Sequence, residues 1–119
     1  MDAKTLAALI AGAEKWDRNA LAKKPEDAEI YGGSCELCKM FCDKHPHYDA
    51  CLGCPVMAAT GDPDCAGTPW GRASEALSGW ENSRQWGDAR ENSNARARFR
   101  RAAKAEAKFL RSLIPKGAP

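Results

Sequence analysis

The sequence predicts a small, mainly helical domain with an irregular, cysteine-rich zinc-knuckle segment in its middle. Three observations carry that prediction. Apolar residues recur at helical spacing toward both ends, and no segment shows the alternation of a strand. Residues 33–55, GSCELCKMFCDKHPHYDACLGCP, hold five of the six cysteines and both histidines. At most one short hairpin fits within that middle segment.

With 119 residues the chain is expected to form one domain over residues 1–114, followed by a loose tail at 115–119. A domain this small buries a modest share of its surface, so a covalent or metal staple would help it. The first helix is expected over residues 2–24. Leu6, Leu9, Ile10, Ala13, Ala20 and Leu21 form its stripe, Asp17 interrupts it, and Pro25 stops it. An acidic connector, PEDAEIYGG, follows and should tuck Ile30 and Tyr31 against the core. The cysteine-rich segment then runs over residues 33–66 and closes in the turn formers TGDPDCAGTP.

Thr68 and Pro69 read as the N-cap and first residue of a helix over 69–84, with Trp70, Ala73, Leu77 and Trp80 three or four apart. GWENSRQWGDARENSN, residues 79–94, has no clean period and is expected to be loop or frayed helix beyond residue 84. A basic amphipathic helix is expected over 92–114. Phe99, Ala102, Ala103, Phe109, Leu110 and Leu113 fall within about 120° of its circumference. Arg96, Arg100, Arg101, Lys104, Lys108 and Arg111 occupy another arc of about 140°, and Glu106 is the one charge among the apolar positions.

The net charge of +2 conceals an asymmetry. Residues 1–69 carry seven Lys/Arg against eleven Asp/Glu, and residues 70–119 carry eleven against five. An acidic front and a basic back predict a polarised surface attractive to nucleic acid or to acidic proteins. No apolar run reaches the roughly 20 residues that span a bilayer. LAALIAGA, the nearest thing to a targeting segment, leads straight into Glu14 and Lys15 and makes a poor signal peptide.

The cysteines are spaced Cys35-x2-Cys38-x3-Cys42-x8-Cys51-x2-Cys54-x10-Cys65. Two C-x2-C units a dozen residues apart suit tetrahedral zinc, because each can turn two sulfurs toward one centre. Cys35, Cys38, Cys51 and Cys54 are the expected ligands, with Cys65 a plausible substitute for one of them. Other readings compete. An even count suits disulfides in an oxidising compartment. GCPV resembles the Cys-Pro of [4Fe–4S] runs, although the tighter C-x2-C-x2-C spacing is missing. Cys42 or Cys65 alone could be a small buried hydrophobe. His45 and His47 flank Pro46 and read as exposed polar residues rather than ligands. A thioredoxin-like redox centre would need an α/β pattern around its C-x2-C, and none is present.

SCELC, CLGCPVMAATGDPDCAGTPW and AEAKFLRSLIP resemble a family of small cysteine-rich phage and prophage proteins of unknown function. Its shared pattern is C-x-L-C, C-x-G-C-P-V, a T-G turn, C-x-G-T-P with an aromatic, and a closing F-L-x-S-L-x-P. The resemblance covers nearly the whole chain. It implies a phage-encoded protein working in the cytoplasm of a bacterial host, which favours metal over disulfides, and it implies no activity. The insert KMFCDKHPHYDA departs from the pattern, which makes Cys42, His45 and His47 peripheral.

No Ser-His-Asp set, phosphate-cradling glycine motif or open metal position stands out, and a four-thiolate zinc site is normally structural. A non-enzymatic binding module is therefore expected. Nucleic acid is the favoured partner, through the basic face of the last helix extended by Arg84, Arg90 and an exposed Trp80 or Trp86. The alternative is direct inhibition or modulation of a host bacterial protein through the acidic front and the tryptophans. An iron–sulfur or redox role is a third reading.

Overall fold

The computed structural model of the chain describes residues 1–30, 37, 54–60 and 68–116. Its α-helices are α1 (Ala3–Asn19), α2 (Pro55–Thr60), α3 (Pro69–Trp86) and α4 (Ala89–Ser112), with a 3-10 turn at Pro25–Asp27. Among the described residues there is no strand, and the fold is mainly α as the sequence predicts. The expected zinc knuckle at 33–66 falls largely outside the described residues.

Asp2 starts α1 from extended backbone, its Oδ1 accepting the Thr5 N–H at 2.7 Å. The helix ends at Asn19, five residues earlier than the Pro25 stop predicts. Leu21 and Ala22 donate to the carbonyls of Arg18 and Asn19, tightening the last turn. The buried Asn19 side chain then takes both backbone groups of Glu29: Nδ2 donates to its carbonyl at 2.9 Å, and Oδ1 accepts its N–H at 3.0 Å. This pair of hydrogen bonds folds the chain back on itself ahead of the expected stop at Pro25.

The face that α1 buries also differs from the aliphatic stripe. It consists of Thr5, Ala8, Leu9, Gly12, Ala13, Trp16 and Asn19, together with Lys15 at its edge. At about 100° per residue this face is rotated roughly a quarter turn from the expected one, and it leaves Ile10 and Leu21 exposed. This face packs against α4, where a Cβ on Gly12 would meet Leu110 Cδ1 at 3.4 Å.

Residues 79–94, expected to be loop or frayed helix beyond residue 84, are helical except at Gly87 and Asp88. α3 continues to Trp86, where the Gly87 N–H bonds the Ser83 carbonyl at 2.8 Å. A Cβ at Gly87 would lie 2.8 Å from that same oxygen, so the turn requires glycine. Asp88 then caps α4, its Oδ1 accepting the Glu91 N–H at 2.8 Å. The last helix thus begins at Ala89 rather than 92 and ends at Ser112 rather than 114. A mixed polar surface on both sides of the turn is what hides its periodicity.

α4 packs against α3 on one flank and α1 on the other. Leu9, Trp80 and Phe99 are the largest fully buried side chains, and the Trp80 and Phe99 rings lie 5.6 Å apart, tilted by 31°. Burying each such side chain stabilises the fold by about 1.5–3 kcal/mol, and a tilted aromatic pair adds about 0.5–1.5 kcal/mol. Glu106, inside the apolar arc, is buried as well. Ile30, Leu37, Cys54 and Val56 join this core, so the middle of the chain is fastened to the helices at several points. Trp70 Nε1 reinforces one of these by donating to the Ile30 carbonyl at 2.7 Å.

Candidate nucleic-acid interface

The hairpin of α3 and α4 divides the six basic residues expected to form one face. Arg96 turns toward the N-terminal region, its Nε donating to the Ala22 carbonyl at 3.2 Å. Arg111 holds the Asp17 carboxylate in a two-pronged ion pair. Its hydrogen bonds keep the Asp17 carboxyl below the usual carboxylate range, and Asp17 in turn raises Arg111. Arg100, Arg101, Lys104 and Lys108 remain exposed. They form no ion pair with any described residue.

Arg84, expected to extend the basic surface, is also engaged. Its Nη1 donates to both carboxylate oxygens of Glu26, at 2.8 and 2.7 Å. The Glu26 carboxyl is held low first by its own backbone N–H and then by Arg84. The front and back of the chain therefore neutralise part of each other, which weakens the expected polarity. Trp80 is core, at 1% exposure, and cannot meet a partner; Trp86 is 76% exposed.

Two residues that the sequence pattern did not single out take the places vacated. Arg72 on α3 and Arg98 on α4 join Arg101 along a groove of about 500 Å³ between the helices, whose lining also includes Ala76, Ala102 and Ala105. Among the described residues of the lining Glu75 is the only acid, against three arginines. Arg72 and Arg98 likewise form no ion pair with a described residue. Arg98 lies outside the basic arc of α4, about 60° beyond Arg101, which is why the helical wheel passed over it. The signal that bears on the pair is antiparallel register: with Trp80 against Phe99, Arg72 lies beside residues near 107 of α4 and Arg98 beside residues near 81 of α3.

Of the thiols expected to hold a metal, Cys54 alone is described. It is buried just ahead of α2, where its carbonyl accepts the Ala58 N–H at 3.0 Å. Cys35, Cys38, Cys51 and Cys65 lie outside the described residues, as do Cys42, His45 and His47. Among the described residues no three His, Cys, Asp or Glu side chains converge as a metal site.

These features define a small helical domain built on an α3–α4 hairpin with a basic groove. Among the described residues no helix is long and apolar enough to cross a membrane. Comparison with protein-family models, with curated proteins and with solved structures found no match.

Proposed function

We propose that this protein is a small accessory protein of phage type that binds nucleic acid in the cytoplasm of a bacterial host and catalyses no reaction. The observation that supports this reading is the set of arginines and lysines on the α3–α4 hairpin that no described carboxylate neutralises. Arginine and lysine at fixed spacing on rigid helices suit a phosphate backbone, and release of its counterions supplies the affinity. A zinc ion held by four of Cys35, Cys38, Cys51, Cys54 and Cys65 has a structural part in this proposal, fastening the middle of the chain. Burial of Cys54 in the core beside Val56 is consistent with that.

The alternative, direct binding to a host protein through an acidic front, has less to draw on. Asp17 and Glu26, two of the acids it needs, are already paired with Arg111 and Arg84. Fluorescence anisotropy with labelled 20-nucleotide DNA and RNA tests the proposal. Affinity should fall by tenfold or more between about 50 and 200 mM salt. No binding at 50 mM, or binding indifferent to salt, would refute it.

A further inference from the structure

We infer that the nucleic acid is single-stranded and lies along the α3–α4 groove, with phosphates on Arg72, Arg98 and Arg101 and one base stacked on Trp86. The inference rests on the nucleic-acid reading and deepens it. Three features of the hairpin carry it.

The first is the shape of the cationic site. The three arginines line a concave groove of about 500 Å³ rather than a convex ridge. A single strand can follow such a groove with its phosphates on all three arginines, as in other single-strand binders. Alanines in the lining keep the floor low and apolar, which suits sugars and base faces.

The second is the state of Trp86. Trp16 and Trp80 are 3% and 1% exposed, and Trp70 is partly buried with its Nε1 committed to Ile30. Trp86 alone offers most of its ring to solvent, at 76%. An exposed indole on the same helix as a cationic groove offers a stacking platform for an unpaired base.

The third is alignment. At about 100° per residue, Arg72, Glu75, Gly79 and Trp86 fall within one 60° strip of α3. Arg84 and its partner Glu26 lie on the opposite side, where they line a separate cleft. At Gly79, between the groove and Trp86, the strip is open: among the described residues nothing lies within 4 Å of where a Cβ would stand. From Arg72 to Trp86 the rise along the helix is about 21 Å, which a strand of a few nucleotides can cover. Glu75 in the strip and Glu91, whose Oε2 lies beside Gly87, repel a phosphate, and Glu75 shares the groove lining with three arginines that attract one.

The test uses the full chain, a labelled mixed-sequence 12-nucleotide DNA, and the same strand annealed to its complement. The inference predicts tighter binding of the single strand than of the duplex, with quenching of tryptophan emission. Trp86→Ala should abolish most of the quenching and weaken single-strand binding about tenfold, and Trp86→Phe should restore much of the affinity. Circular dichroism confirms that each variant is folded. Duplex bound as tightly as single strand, or Trp86→Ala binding like the unaltered protein, overturns the inference while leaving the nucleic-acid reading intact. Binding of neither probe overturns both.

Discussion

Arg111, in the last turn of α4, grips the carboxylate of Asp17 near the end of α1, joining residues 94 positions apart. Each side chain is about half exposed. The pair bridges the C-terminal helix and the N-terminal one, and it engages Arg111 within the chain.

The Asp17 carboxyl is depressed in the folded chain by its bonds to Arg111. Its contribution to stability is therefore complete above the unfolded value near 3.8 and is lost as pH falls through the lower folded value. Asp17→Asn should cost at most about 1 kcal/mol at pH 6, since solvent screens an exposed pair. Toward pH 2 the difference between variant and unaltered protein should vanish. Thermal melts from pH 2 to pH 7 would show this, and an unchanged gap across that range would count against it.

Trp80 and Trp86 belong to one helix and should behave as opposites. Phe99→Ala or Trp80→Ala removes half of the ring pair at the centre of the core and should cost about 3–5 kcal/mol. Trp86→Ala should change stability by less than about 0.5 kcal/mol. Urea denaturation of the three variants compares them directly.

Asn19→Ala should be more damaging than an ordinary polar substitution. It strands the N–H and carbonyl of Glu29, both now satisfied by one buried side chain, at a cost of about 1–3 kcal/mol. Asn19→Asp keeps only the acceptor and should fall between the two. Equal stability of all three proteins would show that the connector is held by other contacts, such as Trp70 on Ile30.

Protein purified under reducing conditions should be colourless and carry one equivalent of zinc. Removal by a chelator should lower its melting temperature, because a structural metal contributes directly to folding. Cys54→Ser should reduce zinc content, whereas Cys42→Ser should leave it unchanged. A brown preparation with visible absorption would point instead to an iron–sulfur cluster.

Much of the helical frame was legible in the sequence. Thr68-Pro69 marks the start of α3 because its cap chemistry is local, and the apolar arc of α4 is clear from Phe99 to Leu113. What escaped depends on partners distant in the chain. The face that α1 turns inward depends on its packing against α4, with Gly12 beside Leu110, which no periodicity reports. The end of α1 follows from Asn19 reaching Glu29. The basic stripe was visible as composition on a wheel, yet Arg96 and Arg111 were claimed by Ala22 and Asp17. Arg72 and Arg98 gained their place only when the hairpin set α3 beside α4.

The central claim, that the α3–α4 groove binds the phosphates of a nucleic acid, is tested most directly by the salt dependence of binding. Logarithmic affinity for a single strand should fall linearly with logarithmic salt, each phosphate contact contributing about −0.7 to the slope. Replacing Arg72, Arg98 and Arg101 together by alanine should flatten the slope by about 2. Replacing Arg96 and Arg111, which bond within the chain, should leave it unchanged. The account is contradicted if the two sets of substitutions flatten the slope equally, or if affinity shows no dependence on salt.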